Sequence, residues 1–281
     1  MAATAPAGGA YLEAAGLRTF YIKKGSGPAV FLVHGASPGA SAWVNWHPTI
    51  DGLAARGFTV WAVDQPGFGY TDNPDDYSID FRVAHMQAFI AQTGVERYSL
   101  IGNSMGGYIV ARLALADPER VHRLVVVASA TLAPPGGAQT QEKHLEHVRE
   151  LREYEPSLEN MRKLTMGTLY NKALVTDELV RERHEMSIGK NREAERRRAA
   201  APPVRPIHEE LPSLRMPTLL VWGANDRGGT LEKALLLFQK IPGAELHVFD
   251  HCAHWPQWDH AARFNILVRD FLTSDDAADA R

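Results

Sequence analysis

Six short apolar segments alternate with stretches of helical spacing, and this alternation constrains the fold of the 281-residue chain more than any other feature. Each segment is rich in β-branched residues and bounded by Gly, Pro or Asp, which is typical of buried strands. The predicted strands are residues 29–35, 58–64, 97–103, 123–129, 218–223 and 244–250. Because strands that alternate with helices form mostly parallel sheets covered on both faces, the sequence predicts an α/β protein.

Two regions depart from this alternation. Residues 11–27 resemble a β-hairpin at the sheet edge, with Gly16 near its turn. Residues 134–206 show no strand pattern; they are rich in Glu, Arg and Lys at helical spacing and are bounded by "APPGG" and "APPVRP". We therefore predict a core made of residues 1–133 and 207–281, with a helical lid inserted at 134–206.

Composition argues against several classes of protein. The formal net charge of −3 leaves no basic excess for binding nucleic acid, and no apolar run reaches the roughly 18 residues of a membrane span. Cys252 is the only cysteine, so no internal disulfide forms, and the first ten residues do not resemble a signal peptide. We expect a cytoplasmic protein that acts on a small molecule and binds neither nucleic acid nor membrane.

The segment "SLIGNSMGGYIVARLA" places Ser104 at a predicted strand-to-helix junction. "GNSMG" fits the pattern GxSxG, and its context is a strand that ends at Asn103 and a helix that begins near Met105. Such a sharp turn exposes the serine hydroxyl, and the flanking glycines keep neighbouring segments from clashing with it. We therefore predict that Ser104 is a nucleophile and not merely a small residue in a tight turn.

A serine hydroxyl is a weak nucleophile and requires a general base. In an α/β-hydrolase the acid and the histidine follow the serine along the chain, which leaves His251 and His254, after the last predicted strand, as candidates. Either residue is close enough in sequence. We favour His254 because it lies further into the loop, directly before a Trp-Pro pair; His251, next to the strand end, suits a packing or hydrogen-bonding role.

The acid that orients the histidine is predicted to be Asp226. This residue follows the strand that precedes the histidine loop, and both loops open on the sheet edge where Ser104 lies. Asp250 and Asp259 are the alternative candidates for this acid. Asp250 ends a strand, and Asp259 is expected to cap the last helix, so both have other roles available.

An oxyanion hole is predicted from the loop "HGASPGASAW", whose small residues let the backbone approach a bound carbonyl oxygen. The expected donors are the backbone N–H of Met105, which follows the nucleophile, and that of Ala36 in this loop. His34 lies in the same loop, at a position where a structural His-Gly pair is expected rather than a catalytic base.

The segments "HGASPGASAWVNW", "VDQPGFGYTDNP", "GNSMGG", "WGANDR" and "CAHWPQWDHAARFNILVRDFL" together resemble the meta-cleavage product hydrolases. These are serine-dependent α/β-hydrolases that cut carbon–carbon bonds during aromatic degradation. The resemblance covers nearly all of the chain outside the lid. It implies the α/β-hydrolase fold, with a mostly parallel eight-stranded sheet and an inserted helical lid, and it implies Ser104, Asp226 and His254 as the catalytic triad.

The resemblance also implies a substrate site. Asn45, Asn103 and Trp255 match positions that line the polar part of the pocket, and Arg183 in "DELVRERHEM" matches the arginine that binds the dienoate end of the substrate. The implied reaction hydrolyses a 2-hydroxy-6-oxohexa-2,4-dienoate to a 2-hydroxypenta-2,4-dienoate and a carboxylic acid. It requires no metal and no organic cofactor, and members of the family form homo-oligomers.

The group on the ketone side of the substrate is not identified by these motifs. Five lid residues either line its pocket or, as Met and aromatic residues at helical spacing often do, pack in a core: Met161, Leu164, Met166, Leu169 and Tyr170. Two segments depart from the family pattern. "HGASPG" replaces the usual glycine-rich loop and adds the methyl group of Ala36, and "RGGT" follows Asp226 where an apolar residue and a proline are usual.

Two other functions remain open at this point. A carboxylesterase or lactonase would use the same triad, and turnover of a short acyl ester compared with a dienoate separates it from a carbon–carbon hydrolase. A ligand-binding receptor of the same fold would bind its ligand tightly and leave an active-serine probe unreacted. A nucleophilic aspartate, as in epoxide hydrolases and haloalkane dehalogenases, is excluded by Ser104.

Overall fold

The computed structural model describes residues 6, 8–134, 142, 145–146, 149–151 and 153–274. Eight strands of the described chain form one sheet in the order β1-β2-β4-β3-β5-β6-β7-β8. They are β1 Gly9–Ala14, β2 Leu17–Lys24, β3 Ala29–Val33, β4 Thr59–Val63, β5 Tyr98–Asn103, β6 Val121–Val127, β7 Thr218–Gly223 and β8 Glu245–Phe249. Strand β2 is antiparallel to β1 and β4, and every other pair is parallel. The predicted α/β sheet and its strands are confirmed within a few residues.

The predicted edge hairpin is β1–β2. Its turn residues are Ala15 and Gly16, whose φ angles are 48° and 76°. Two successive positive φ angles are the geometry of a type I′ turn, which matches the right-handed twist of the paired strands. Gly16 adopts this conformation without a steric penalty, so the hairpin is set by a local feature of the sequence.

Helices connect the parallel strands and also fill the predicted insertion. They are α1 Ala42–Ala54, α2 Ile79–Gln92, α3 Met105–Ala116, α4 Leu158–Thr168, α5 Asp177–Glu185, α6 Lys190–Ala199, α7 Leu231–Lys240, α8 Pro256–Asp259 and α9 Ala261–Thr273. No helix in the described residues is both long and apolar enough to cross a bilayer.

Both faces of the sheet are buried, which explains why the strands are continuous apolar runs rather than alternating ones. In β3, Phe31 and Val33 join one hydrophobic cluster, and Val30 and Leu32 join the cluster on the opposite face. The parallel strands therefore form the central layer of the core. Their carboxyl ends carry the loops that hold the candidate site.

The described part of the chain between β6 and β7 is helical wherever it forms regular structure. The hydroxyls of Ser157 and Thr176 accept backbone N–H bonds at the first turns of α4 and α5, as N-caps do. A small apolar cluster joins these helices to Val44 of α1 and to Trp255. The predicted limits of the lid, 134 and 206, stay a prediction, since most of "APPGG" lies outside the described residues.

The expected role of Asp259 as the cap of the last helix is wrong. Helix α9 begins after His260, and Asp259 ends the short helix α8. Its carboxylate instead accepts backbone N–H bonds from Ala253, at 2.9 Å, and from Tyr170 and Asn171 of the insertion. Because these donors come from two distant segments, Asp259 ties the insertion to the loop that follows β8.

Candidate active site

Ser104 occupies a strained turn between β5 and α3. Its φ is +56°, a left-handed value that is uncommon for a residue with a side chain. The Ser104 N–H donates to the carbonyl of Val127 at 2.8 Å, and its own carbonyl accepts from the N–H of Gly107 at 2.9 Å. The surrounding structure therefore holds the strained conformation in place, as the nucleophile elbow requires.

The flanking glycines allow this turn for a steric reason. A Cβ atom on Gly102 would lie 2.3 Å from the carbonyl oxygen of Gly106, and a Cβ atom on Gly106 would lie 2.1 Å from the carbonyl oxygen of Val33. Gly35 lets its loop approach Ser104, since a Cβ atom there would lie 3.2 Å from Ser104 Cβ. Side chains at these positions would push the elbow away from the strands beneath it.

Asp226 and His254 form a hydrogen-bonded pair at the ends of β7 and β8. The distance from His254 Nδ1 to Asp226 Oδ2 is 2.8 Å, and the Asp226 side chain is 1% exposed. The other carboxylate oxygen, Oδ1, accepts from the N–H groups of Gly228 and Gly229 at 2.9 and 3.0 Å. The unusual "RGGT" segment therefore supplies two backbone donors that stabilise the ionised carboxylate.

Four influences act on the pKa of the His254 imidazole. Burial lowers it, but the charge of Asp226 and the hydrogen bond to Asp226 together outweigh this, and Arg183 lowers it again. The result is a pKa above the ordinary value for histidine. The backbone of His254 is also fixed: its N–H donates to the carbonyl of Thr168 at 3.1 Å, and its carbonyl accepts from Asn103 Nδ2 at 3.3 Å.

The other candidates for the base and the acid, which are His251, His34 and Asp250, lie in different environments. His251 and Asp250 are largely exposed and pair with each other, with Nδ1 and Oδ2 3.2 Å apart. His34 is fully buried, and burial lowers its pKa to about 3, so its ring is neutral near pH 7. Its Nδ1 lies 2.6 Å from the Gly35 carbonyl, and its Nε2 accepts the Gln65 N–H at 3.0 Å. These contacts fit the structural role expected for His34.

A cavity of about 520 Å³ lies above the carboxyl ends of the strands. Ser104 and His254 line it together, so the two residues face the same space. Ala36 and Met105 line it as well. Since α3 begins at Met105, the N–H of that residue has no acceptor within its helix and can donate to an oxyanion.

Of the four predicted substrate-binding residues, Asn103 and Trp255 line the cavity, whereas Asn45 and Arg183 lie behind its wall. Asn45 Nδ2 donates to Asn103 Oδ1 at 3.1 Å, and both side chains are almost fully buried. Asn45 therefore orients Asn103 and does not form part of the cavity surface.

Arg183 is fully buried against the same wall. Its guanidinium donates to Thr165 Oγ1 at 3.0 Å, to the Pro38 carbonyl at 3.2 Å and to Ser37 Oγ at 3.4 Å, and its Cζ lies 4.9 Å from the centre of the Trp255 ring. All of these partners are uncharged. No carboxylate in the described residues lies within ion-pair distance of Arg183, and burial lowers its pKa to about 10.

The first alternative for Met161, Leu164, Met166, Leu169 and Tyr170, that they line the pocket, is wrong for the described structure. Met161, Leu164 and Leu169 instead belong to the apolar cluster between the insertion and α1, while Met166 and Tyr170 are about two-fifths exposed. The insertion lines the cavity with other residues, among them Leu151, Thr168, Glu195, Arg198 and Ala199. The sequence pattern did not identify this face because charged residues occur on every side of α6.

Comparison with known proteins identifies the family. The sequence family described as alpha/beta hydrolase fold matches residues 28–261. The chain is 36% identical over 279 residues to a 2-hydroxymuconate semialdehyde hydrolase of Pseudomonas sp. (strain CF600), with 96% of this chain and 95% of that protein covered. It is 34% identical over 263 residues to a 2-hydroxy-6-oxononadienedioate/2-hydroxy-6-oxononatrienedioate hydrolase of Burkholderia vietnamiensis, with 91% of each covered.

A solved structure gives the same result. The meta-cleavage product hydrolase CumD of Pseudomonas fluorescens IP01 superimposes with a TM-score of 0.84 at 35% identity, covering 94% of this chain and 97% of that one. Together with the elbow at Ser104 and the eight-stranded sheet, these similarities show that the chain belongs to the α/β-hydrolase fold family and, within it, to the meta-cleavage product hydrolases.

Proposed function

We propose that this protein hydrolyses the carbon–carbon bond next to the ketone of a 2-hydroxy-6-oxohexa-2,4-dienoate, giving a 2-hydroxypenta-2,4-dienoate and a carboxylic acid. The observation that carries the proposal is Arg183, a buried guanidinium with uncharged partners beside the cavity that Ser104 lines. A buried cation without a carboxylate is costly unless an anion joins it. A dienoate carboxylate supplies that anion, whereas a simple ester carries none.

The carboxylate end of the substrate binds near Ser37 and Pro38, which line the cavity and contact Arg183. The contact of 3.4 Å between Arg183 Nη2 and Ser37 Oγ is the weakest of its bonds, and the substrate carboxylate replaces it. The amide of Asn103 binds the adjacent 2-oxo group, held in orientation by Asn45. The fixed positive charge stabilises the electron-rich form of the dienoate.

Bond cleavage begins with a tautomerisation, in which the 2-hydroxyl loses a proton and C5 gains one. Ser104 Oγ then adds to the C6 carbonyl carbon while His254 accepts the hydroxyl proton, and the N–H groups of Met105 and Ala36 stabilise the oxyanion. The C5–C6 bond breaks, its electron pair enters the dienolate, and His254 returns the proton to that product. Water activated by His254 finally hydrolyses the acyl-serine, as in other triad enzymes.

The direct test compares the wild type with Ser104→Ala and with Ser213→Ala, a change at an exposed serine that does not line the cavity. We expect Ser104→Ala to lower kcat on a yellow ring-fission dienoate by at least about 10⁴-fold, because the nucleophile is lost. Ser213→Ala should match the wild type. Undiminished turnover by Ser104→Ala refutes the assignment, and faster wild-type turnover of a short acyl ester than of any dienoate favours the carboxylesterase or lactonase alternative.

We further propose that the chain works in the cytoplasm as a homo-oligomer. The family resemblance supports an assembly, and β8 supports it structurally, because this strand forms one edge of the sheet and exposes Val248. The single buried cysteine is compatible with a reducing compartment. Sedimentation of the purified chain tests the assembly, and a monomer mass contradicts it.

A further inference from the structure

Two arginines line the cavity itself, whereas Arg183 lies behind its wall. Arg82 extends from the first turn of α2 in the core, and Arg198 extends from α6 in the insertion. The residues that Arg198 contacts, Gly67 and Phe68, are not among those that contact Arg183. There are therefore two cationic regions, one at Arg82 and Arg198 on the cavity surface that Ser104 and His254 also line, and one at Arg183 behind the cavity wall.

Arg82 lacks the partners that a buried guanidinium normally has. Its side chain is 5% exposed, and both Nε and Nη1 are buried without a hydrogen-bond partner in the described residues. Burial lowers the pKa of Arg82 to about 10, which still leaves it charged near pH 7. Such a group is strongly unfavourable in a protein interior unless an anion accepts its N–H bonds.

Arg198 is held in place but not neutralised. Its Nη1 donates to the carbonyl of Gly67 at 2.6 Å, and its Cζ lies 3.6 Å from the centre of the Phe68 ring. Burial and the neighbouring charge of Arg82 lower its pKa to about 9. The two arginines thus repel each other while both line the cavity, and an anion bound between them removes that repulsion.

The nearby acidic residue does not cancel these charges. The charged residues that line the cavity are Arg82, Arg192, Glu195, Arg196 and Arg198. Glu195 pairs with Arg192, whose Nη1 lies 3.1 Å from Glu195 Oε2. The residues between 134 and 153 that the structure does not describe include no aspartate or glutamate. Arg82 and Arg198 therefore remain without a carboxylate partner in the described structure.

We propose that Arg82 and Arg198 form a subsite for a second carboxylate, carried by the substrate on the ketone side of the bond that is cleaved. The inference rests on the proposed function and narrows its substrate class to dicarboxylate dienoates. It also distinguishes between the substrates named for two of the relatives. One relative is a nonadienedioate hydrolase, and another is a semialdehyde hydrolase. The arginine pair favours the dioate, because only that substrate has an anion at both ends.

The test uses two substrates of equal chain length: 2-hydroxy-6-oxonona-2,4-dienedioate and its analogue 2-hydroxy-6-oxonona-2,4-dienoate, which lacks the second carboxylate. We expect the wild type to prefer the dioate by about 10- to 100-fold in kcat/KM, the contribution of one or two charge-assisted hydrogen bonds. Arg82→Met and Arg198→Met should each reduce this preference about tenfold through KM, and leave kcat/KM on the monocarboxylate unchanged. Turnover of the monocarboxylate confirms that each variant is folded.

Arg197→Met is the matched control, because Arg197 lies on the same helix and carries the same charge but does not line the cavity. Its preference for the dioate should equal that of the wild type. Equal wild-type turnover of the two substrates, or an equal loss on both in Arg82→Met, overturns the subsite and leaves the proposed function standing. Turnover of neither substrate by the wild type overturns the proposed function, and the subsite with it.

Discussion

The loops at the strand ends and the helical insertion contribute different things to the cavity. The loops carry Ser104, Asp226 and His254, and hydrogen bonds of 2.8 to 3.0 Å hold the Ser104 backbone, the Asp226 carboxylate and the His254 ring. The insertion contributes Arg183, which is fully buried, and Arg198, which is partly exposed, and neither cation has a carboxylate partner in the described residues. In the proposed function, the core performs the chemistry and the insertion recognises an anionic substrate.

Of the substitutions that test this division between core and insertion, Asp226→Asn in the core is expected to change activity the most. We expect kcat on a dienoate to fall by about 10⁴-fold, because an amide does not hold the imidazole in the required tautomer. The acid limb of kcat/KM should also move to lower pH. The two influences that remain, burial and Arg183, both lower the pKa of His254, so the neutral base persists in more acidic solution. A pH–rate profile of the variant measures both changes.

Asp250→Asn is the control for this variant, because the Asp250 carboxylate is exposed and pairs with His251. It should leave kcat and the pH profile unchanged. A loss of activity in Asp250→Asn together with an active Asp226→Asn would transfer the role of the acid to Asp250.

A smaller effect, opposite in its pH direction, is expected from Arg183→Met in the insertion. We expect kcat/KM to fall by about 10- to 100-fold, mainly through KM, because a charge-assisted contact to the substrate carboxylate is lost. Since the Arg183 charge lowers the pKa of His254, removing it raises that pKa and moves the acid limb to higher pH. Initial rates across the pH range detect the shift.

Arg181→Met provides the control, because Arg181 is exposed on the same helix. It should behave as the wild type in KM and pH profile. If the acid limb of Arg183→Met does not move, the Arg183 charge does not act on His254, and the cationic region and the catalytic pair are electrostatically independent.

The difference between the two regions also explains how much the sequence could predict. The elbow, the strand-end positions of Asp226 and His254 and the donor at Met105 follow from local rules of chain geometry, and "GNSMGG" and "WGANDR" express them directly. Even there, the N–H bonds from Gly228 and Gly229 to Asp226 were not foreseen, because a departure from the family pattern does not indicate which acceptor a backbone donor finds.

The insertion was predictable as helical but not in its orientation. Helix α6 has charged residues on all sides, so no hydrophobic stripe in its sequence indicates which face meets the cavity. The position of Arg198 depends on its contacts with Gly67 and Phe68, which lie 131 and 130 residues away in the chain. The position of Asn45 was also not predictable from the sequence, since only the fold places it behind Asn103 and outside the cavity lining.

The smallest effect is expected from Met166→Ala, which tests which face of α4 lines the cavity. Met166 is exposed and does not line the cavity, whereas Thr168, two residues later, does. Met166→Ala should change the ratio of kcat/KM between 6-phenyl and 6-methyl dienoates by less than about twofold, as surface substitutions usually do. Thr168→Leu adds volume to the cavity wall and should lower the same ratio by about tenfold. A shift in Met166→Ala as large as that in Thr168→Leu would mean that α4 presents Met166 to the substrate, and that exposed side chains of the insertion, as well as its buried cations, select the group beyond the ketone.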